Sequence, residues 1–426
     1  MIATSTATAA MDRPVVRLGA ATRRTRPPSS LPRRPHPRFG TLRRRTSPAA
    51  ADDDAPPAQG PTDDPRSPAN LMKRANAMRA KAIKVKLAAM GVGTKDLFEK
   101  EELARALANA WSEQLEGTVT LPLRQLVGMP GNPRAGYVVV TLDVGEAGFV
   151  DFLIDSGATS ALITPQLREM LGDSAVDGAA IRGLGAGGET LRQKVTISGA
   201  SVGALELGSL DAVVTDLAAS GLPSVVGGML GLDFLSKFEA DLDFANKTMR
   251  FHPRGSIVSG ALDVESLVEV PLAMHPTGLK TVACRLNASD AFPGVLDMGS
   301  FFSVVNWMAS AGGGVAADHP SVTNSAMTAV GVDGRPMAMS TAPFDLEVVG
   351  MGGDEGGLRS EYKGECCIGD LPAFASLGAS ASPFMTVGLD VIGRGRTVLN
   401  VGGDRVYLTP GDAPGGMWDS DGPIIQ

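Results

Sequence analysis

The alternation of apolar and polar residues predicts β-strands over most of the chain after residue 121. Tyr137 to Val144 and Gly148 to Asp155 have the pattern of a hairpin, whose second strand contains the fully apolar run Phe152 to Ile154. The run stops at Asp155, and Ala161 to Ile163 resume extended structure after a turn. Asp155 therefore lies at the edge of the core, where a carboxylate needs hydrogen bonds or a charged partner.

This pattern occurs twice in the chain. Gly294 to Asn306 aligns without gaps on Phe152 to Thr164, and the alignment places Asp297 at the position of the first aspartate. Farther on, Thr386 to Leu408 aligns without gaps on Met229 to Phe251. Each copy runs from an apolar strand ending in Asp-x-Gly to an apolar pair followed by Gly-Leu-Asp, and then to a further strand. The sequence thus predicts two successive copies of one structural unit.

One region before the repeat has strong helical character. Leu71 to Met90 is a basic amphipathic helix without acidic residues, Gly91 to Thr94 break it, and Glu99 to Trp111 form a second amphipathic helix. Ile83 to Ala110 resembles the small helix-extension-helix SAP-like motif, which other families use on nucleic acids or on proteins. We expect the segment 69–116 to dock on a partner or on the rest of the chain, with weak phosphate contact through 71–110 as the alternative.

The repeated unit resembles the aspartic peptidases, and more their retropepsin-like branch than their pepsin branch. The matching residues are Asp155 to Thr159, the flap-like Ile181 to Ile197 and Met229 to Gly231 in the first copy, and Asp297 to Ser300, the flap-like Ala329 to Met339 and Thr386 to Gly388 in the second. The resemblance covers residues 133 to 410. Within the family, the chain looks most like the plastid aspartyl-protease-like proteins of plants and algae.

The resemblance implies a mainly β fold of two acid-protease-like barrels related by a pseudo-twofold axis, preceded by a small helical segment. It also implies an aspartic endopeptidase that hydrolyses extended polypeptides, in which Asp155 and Asp297 share one proton and activate a water. The residues supporting the two turns would be Ser156, Gly157, Ala158, Gly299 and Ser300, and the flap residues at the substrate would be Gly183, Gly185, Gly187 and Gly188.

The chain departs from the family pattern at three places. Met298 stands where the family has Thr or Ser, so the second copy cannot make the hydroxyl hydrogen bond between lobes that Ser156 would make. Ala158 removes a hydroxyl that could hydrogen-bond the carboxylate, which would move the working range of the pair toward neutral pH. The flap lacks the tyrosine typical of pepsins, because the tyrosines of the chain are Tyr137, Tyr362 and Tyr407.

Three hypotheses follow from these departures. The first is a single-chain endopeptidase that uses both aspartates. The second is a retropepsin-like homodimer that pairs Asp155 of two chains and uses the second lobe as a scaffold. The third is a non-catalytic module that binds peptides or proteins and has lost the chemistry at Met298.

Composition adds a prediction about targeting. The first 50 residues contain eleven Arg and a single acidic residue, Asp12, which is typical of an organelle transit peptide. We expect a plastid location, with the mitochondrion as the alternative, and a basic anion-binding tail as the competing interpretation. This segment carries a charge of +10, which leaves −17 for the remaining residues and argues against general nucleic-acid binding by the main body.

The remaining segments are assigned by composition and pattern. Residues 51–68 form an acidic Pro-rich linker, 121–254 and 266–410 the two lobes, and 411–426 a loose tail. Three cysteines are too few for a disulfide framework and favour a reducing compartment. The four histidines have no metal-ligand spacing, and the GxGxxG pattern at 183–188 is not followed by a helix, so no metal or cofactor is expected. We expect a polypeptide substrate, no membrane span, and a monomer, with the homodimer as the alternative.

Overall fold

A computed structural model describes residues 3–4, 67–127, 136–185, 188–217, 222–330, 336–351 and 360–411. Almost all of the predicted transit peptide and linker, and the predicted tail after residue 411, lie outside these residues. The boundaries assigned to the segments from sequence therefore remain predictions. Among the described residues, no helix has the length and apolar composition needed to cross a bilayer.

Three helices lie between residues 67 and 117: α1 (Pro68–Ala77), α2 (Ala80–Ala89) and α3 (Lys100–Glu116). The Ser67 hydroxyl caps α1 by accepting a hydrogen bond from the Asn70 N–H at 3.3 Å. The single helix predicted over residues 71–90 is wrong, because the backbone is extended at Met78 and Arg79. No Gly or Pro marks this break. Packing of both pieces against α3 decides it, and the shared apolar core contains Leu71, Ile83, Leu87, Leu103, Leu107 and Trp111.

The helices pack on the segment that joins the two lobes. The Trp111 indole N–H donates to the carbonyl of Ser259 at 2.7 Å, and the Arg74 guanidinium donates to that of Gly260 at 2.7 Å. The same guanidinium lies 4.8 Å from the centre of the Trp111 ring. Basic residues that this contact does not use are exposed, namely Lys73, Arg79, Lys81 and Lys84. Nucleic-acid contact by this surface remains a prediction.

The first lobe is an antiparallel-rich barrel. Its elements are β2 (Val119–Pro122), β3 (Arg124–Val127), β4 (Gly136–Asp143), β5 (Phe149–Ile154), β6 (Leu162–Ile163), α4 (Pro165–Met170), β7 (Ala175–Gly185), β8 (Gly188–Val202), β9 (Leu205–Val214), β10 (Val226–Leu230), α5 (Leu232–Leu235), β11 (Glu239–Asp243), β12 (Thr248–His252) and α6 (Ser256–Ser259). The short strand β1 (Ala3–Thr4) pairs with the end of β7. The hairpin predicted to lead into Asp155 is the pair β4 and β5.

The second lobe repeats this arrangement. Its elements are β13 (Val268–Pro271), β14 (Ala273–Met274), β15 (Lys280–Leu286), β16 (Phe292–Leu296), β17 (Val304–Val305), α7 (Trp307–Gly312), β18 (Thr323–Val330), β19 (Pro336–Val348), β20 (Ser360–Ile368), α8 (Pro372–Ser376), β21 (Met385–Val387), α9 (Leu389–Ile392), β22 (Arg396–Asn400) and β23 (Arg405–Leu408).

The order of the strands shows the repeat directly. In the first lobe it is β7-β8-β9-β6-β10-β5-β4-β3, and in the second it is β18-β19-β20-β17-β21-β16-β15-β14. Each of these eight strands thus has a counterpart in the other lobe, and β1, which lies beyond β7 at the edge of the first sheet, has none among the described strands. The additional pairings β8–β4 and β19–β15 also correspond. In both lobes the strand that ends in aspartate, β5 or β16, pairs in parallel with a later strand of the same lobe, β10 or β21. The predicted fold class, mainly β with two acid-protease-like barrels, is confirmed.

A third sheet joins the lobes. Its strand order is β13-β23-β22-β11-β12-β2, and β11 of the first lobe pairs antiparallel with β22 of the second. Asp241 on β11 is 2% exposed and binds Arg396 on β22 through two hydrogen bonds, of 2.8 and 3.2 Å. Burial raises the pKa of Asp241, but its interactions with His252 and Arg396 outweigh burial and lower the pKa to about 2.

We predict that Asp241→Asn lowers the free energy of unfolding by about 3 kcal/mol, because Arg396 would remain at the lobe junction without its charged partner. Urea unfolding at pH 7 measures the difference. Asp345→Asn is the control, since Asp345 pairs with Lys363 at 3.8 Å on the surface, and an exposed pair contributes less than about 1 kcal/mol. Equal effects of the two substitutions would contradict the prediction.

The same pair predicts a dependence on pH. The pKa of Asp241 in the folded protein is about 2, which lies below the ordinary value of 3.8. Ionised Asp241 therefore stabilises the fold at pH values above 3.8. The stability advantage of the unmodified protein over Asp241→Asn should therefore shrink as the pH falls from about 4 toward about 2. Urea titrations of both proteins across this range measure it. An advantage that stays constant would contradict the assignment.

Candidate active site

Two aspartates lie at the ends of equivalent strands. Asp155 follows β5, and its N–H donates to the carbonyl of Leu230 on β10 at 3.0 Å. Asp297 follows β16, and its N–H donates to the carbonyl of Val387 on β21 at 2.9 Å. The last three residues of each strand are buried, so each aspartate follows directly on a buried end of its strand. Both aspartates are 0% exposed.

Each carboxylate lies against the turn of the other lobe. A Cβ placed on Gly157 would lie 2.5 Å from Oδ1 of Asp297, and one placed on Gly299 would lie 2.6 Å from Cγ of Asp155. Only glycine leaves room for this approach. Within each turn, the glycine N–H donates to the aspartate Oδ1, at 2.8 Å for Asp155 and 3.0 Å for Asp297. The structure therefore brings Asp155, Gly157, Asp297 and Gly299 together, as the sequence predicted they would be.

The electrostatics of the pair follow from this burial. Loss of water raises the pKa of Asp155, and the negative charge of Asp297 raises it further. Burial likewise raises the pKa of Asp297. Two carboxylates this close cannot both ionise without strong repulsion, so the pair retains a proton at a pH where exposed aspartates have lost theirs. Among the described residues, no partner hydrogen-bonds Oδ2 of Asp155.

Ser156 connects the two turns. Its hydroxyl donates to the carbonyl of Leu296 at 2.7 Å and accepts a hydrogen bond from the N–H of Met298 at 3.0 Å, both in the other lobe. The serine is fully buried, so water does not compete for these bonds. At the equivalent position of the second lobe, the side chain of Met298 is buried among apolar residues. The hydroxyl that bonds across the two lobes thus comes from Ser156 of the first lobe, and Met298 of the second lobe supplies none, as expected from the sequence.

Part of the chain matches a known protein family. A family model described as "Aspartyl protease" matches residues 140–234, which include Asp155 and end before Asp297. The fold is aspartic-protease-like. The family supports a peptidase-type function at the coarse level, while the pairing of the two aspartates comes from the structure of this chain alone.

Several solved structures are similar to the chain at low identity. The basic 7S globulin from soybean is 12% identical, with a TM-score of 0.41 over 69% of this chain and 95% of its own. An aspartic proteinase from Irpex lacteus is 13% identical, with a TM-score of 0.41 over 69% and 98%. A retropepsin-like aspartic protease from Rickettsia conorii is 14% identical, with a TM-score of 0.21 over 32% and 90%. No curated protein matches the chain.

The residues that follow the two turns differ from each other. Ala158 has no hydroxyl, and the Ser300 hydroxyl donates to the carbonyl of Phe302 at 2.8 Å. The backbone is nevertheless held in the same way in both lobes. The carbonyl of Ala158 accepts from the N–H of Leu232 at 2.8 Å, and that of Ser300 accepts from the N–H of Leu389 at 2.9 Å. The two turns of the aspartic-protease-like fold therefore share a backbone frame, while their side chains differ.

Two further aspartates accept hydrogen bonds from the loops that follow the two turns in the chain. Asp233 accepts a hydrogen bond from the N–H of Ala161 at 3.0 Å, and Asp390 accepts from the hydroxyl of Ser303 at 2.8 Å. Burial raises the pKa of Asp390 to about 6, although hydrogen bonds from Ser303 act in the opposite direction. These contacts agree with the interpretation of both aspartates as structural partners of the backbone rather than as catalysts.

The predicted flap is the hairpin of β7 and β8. Gly183 and Gly185 lie at the end of β7, Gly188 begins β8, and Gly185 pairs with Gly188. Gly187 lies outside the described residues. This segment is a hairpin and not a strand followed by a helix, so the GxGxxG pattern is not a dinucleotide-binding turn here. The second lobe has an equivalent hairpin in β18 and β19, whose connection, 331–335, also lies outside the described residues.

Sequence reasoning missed two residues beside the pair. Tyr137 on β4 is 7% exposed, and its ring centre lies 4.1 Å from that of Phe301, which follows the second turn. Tyr137 belongs to the first lobe and Phe301 to the second, so this contact also joins the lobes. The strand register of the hairpin β4–β5 was the available signal, because it places Tyr137 opposite the end of β5.

We predict that Ser156→Ala lowers the free energy of unfolding by about 2 kcal/mol, because a buried carbonyl and a buried N–H would each lose a partner. Ser300→Ala is the matched control, since its hydroxyl makes one bond within its own turn. Urea unfolding of both variants at one pH measures the two effects. A smaller effect at Ser156 than at Ser300 would contradict a cross-lobe role for the Ser156 hydroxyl.

Met298 has no hydroxyl, unlike Ser156 at the equivalent position, and this difference leads to a second prediction. In the reciprocal position, Thr at 298 could donate to the carbonyl of Ile154 and accept from the N–H of Ser156. We expect Met298→Thr to be more stable than Met298→Val by about 1 kcal/mol, the contribution of a buried hydrogen bond. Thr and Val have nearly the same shape, so the comparison isolates the hydroxyl. A Val variant that is the more stable of the two in urea would show that this site is simply apolar.

Proposed function

We propose that the protein is an aspartic endopeptidase in which one chain supplies both catalytic carboxylates, Asp155 and Asp297. The observation that carries the proposal is the mutual approach of two fully buried carboxylates, each against the glycine of the other turn. Buried charges are costly unless they are used or compensated, and the turn N–H groups and a shared proton contribute to compensating this pair. Such an arrangement is suited to proton transfer.

The chemistry would proceed as general acid and base catalysis. The ionised carboxylate accepts a proton from a water held between the two groups, and that water attacks the carbonyl carbon of the peptide bond. The protonated carboxyl donates its proton to the carbonyl oxygen, which gives a neutral tetrahedral intermediate. The amide nitrogen then receives a proton from the carboxyl that took it from water. The C–N bond breaks as one hydroxyl of the intermediate returns its proton to the other carboxylate, so that an acid and an amine leave and the pair again holds one proton.

The Gly-rich hairpin of β7 and β8, whose tip already pairs with one short added strand, β1, supports the proposed substrate class. An extended polypeptide can hydrogen-bond through its backbone to a hairpin laid over it, as in other strand-addition complexes. The Gly-rich hairpin of β7 and β8 is suited to this contact, and Gly183, Gly185, Gly187 and Gly188 are the residues that we assign to it. Closure of the hairpin over the substrate would exclude water from the reacting atoms.

Met298 favours a second candidate function. A module that binds an extended peptide without cleaving it needs the groove but not the precise alignment of two carboxylates. Of the two equivalent positions, Ser156 supplies a hydroxyl that holds the turns together and Met298 does not, and this arrangement is also compatible with such a module. Binding of peptides that remain intact after long incubation would support this candidate. The retropepsin-like homodimer has less support, because Asp155 already faces a carboxylate of its own chain.

The test is cleavage of a peptide library by the protein lacking residues 1 to 66, from pH 4 to pH 8, with and without pepstatin. We expect Asp155→Asn and Asp297→Asn each to reduce cleavage by about 10³-fold or more, because neither carboxylate alone can act as both acid and base. Both substitutions preserve the size of the side chain. Asp345→Asn, on the exposed pair with Lys363, should retain full cleavage.

The outcomes separate the candidates. Cleavage that survives in Asp297→Asn and disappears in Asp155→Asn would select the homodimer. No cleavage by the unmodified protein at any pH, together with measurable peptide binding, would select the binding module. Either result would contradict the single-chain endopeptidase.

A further inference from the structure

A cavity of about 260 Å³ lies in the second lobe, where residues of β19, β20 and α9 face each other. Its walls are largely apolar or aromatic, and they include Phe302, Phe344, Leu346, Tyr362, Val391 and Arg394. The cavity is separate from the candidate active site, because neither Asp155 nor Asp297 lines it. A cavity with apolar walls and few polar groups is typical of a ligand site, and this volume suits a small molecule.

A glycine in the middle of β20 opens the cavity. Gly364 pairs with Phe344 in an unbroken register, so it does not mark a β-bulge, and its φ is not in the left-handed region. Of the described residues other than its chain neighbours, Arg394 alone would contact a Cβ here within 4 Å, through Nη2 at 3.5 Å. A glycine inside a strand weakens the strand, and it often marks a place that a ligand approaches closely.

The first lobe fills the equivalent place with side chains. The register of β6 with β9 and of β17 with β20 makes Leu210 the equivalent of Gly364. The gapless repeat makes Phe234 the equivalent of Val391. Leu210 and Phe234 are buried, with 2% and 1% of their surface exposed. The same fold thus packs this place in one lobe, and the smaller residues of the other lobe leave it open.

Arg394 presents a charged group to the cavity. Its Nε donates to the carbonyl of Asp390 at 2.8 Å, and its Cζ lies 5.4 Å from the centre of the Tyr362 ring. These two contacts fix the orientation of the guanidinium. Among the described residues, Nη1 and Nη2 have no hydrogen-bond partner and the guanidinium forms no ion pair. A guanidinium held in this way can bind a planar carboxylate through two parallel hydrogen bonds.

Two acidic residues that line the cavity are bonded to other groups. Asp390 accepts hydrogen bonds from the N–H of Ser303 at 2.9 Å and from its hydroxyl at 2.8 Å. Glu365 accepts a hydrogen bond from the hydroxyl of Thr341 at 2.8 Å, and the alternation of side chains along β20 directs it away from the cavity. The guanidinium of Arg394 therefore remains to bind a ligand, and its charge favours an anion.

We propose that this cavity binds a small apolar carboxylate. The carboxylate group lies on Nη1 and Nη2 of Arg394, and the hydrocarbon part lies against Phe302, Phe344 and Leu346. One guanidinium matches one negative charge, whereas a phosphate would bring additional charge into apolar surroundings. This binding site goes beyond the proposed endopeptidase function and does not depend on it.

The experiment is isothermal titration calorimetry of the full chain with hexanoate, and with hexanamide as an uncharged probe of similar shape. We expect saturable binding of hexanoate, and binding of hexanamide that is weaker by about tenfold or more, because the amide lacks the charge for these hydrogen bonds. Arg394→Gln should weaken hexanoate by about tenfold and leave hexanamide nearly unchanged. Lys363→Gln is the control, since it removes an exposed charge beside Gly364, and it should bind hexanoate normally.

A second variant tests the location of the site. Gly364→Leu introduces the residue of the first lobe, fills the cavity, and should abolish hexanoate binding without lowering the temperature of thermal unfolding. In the unmodified protein, hexanoate should shift the methyl NMR signals of Leu346 and Val391, which line the cavity. Absence of saturable hexanoate binding, equal binding of the two probes, or unchanged hexanoate binding in Arg394→Gln would each overturn the proposal.

Discussion

The structure depends on the burial of two carboxylates at the junction of two lobes. Each group approaches within contact distance of the glycine in the other turn, so neither turn can move without displacing its counterpart. Removing these groups from water raises the pKa of both, and the fold supplies turn N–H groups as partial compensation. The two carboxylates are held close together, where two full negative charges would repel each other strongly. The pair therefore shares one proton.

The rest of the molecule holds that junction together. The cross-lobe hydroxyl of Ser156 aligns the turns, and the stack of Tyr137 on Phe301 adds an apolar contact between the lobes. Farther from the site, the sheet that pairs β11 with β22 and the buried ion pair of Asp241 with Arg396 fix the lobes to each other. The helices pack on the segment that leads from one lobe to the next, through Trp111.

Several parts of this arrangement could be predicted from sequence, because they depend on local patterns. The apolar strands that stop at Asp155 and Asp297, and the gapless internal repeat, predicted the two turns, and the family resemblance of these segments implied the fold class. The break between α1 and α2 could not be predicted, since no Gly or Pro marks Met78 and Arg79 and tertiary packing decides it. Tyr137 was missed for a related reason. The register of the predicted hairpin could have indicated it, but its contact with Phe301 of the other lobe is tertiary and is not visible in a residue pattern.

The central claim is that a single chain contains the complete pair of carboxylates. The most direct measurement is the rate of peptide cleavage per chain as the protein is diluted across the range in which sedimentation shows it to be monomeric. The account predicts a rate per chain that stays constant on dilution. A rate per chain that falls as the concentration falls would show that two chains are needed, and would contradict the pairing of Asp155 with Asp297.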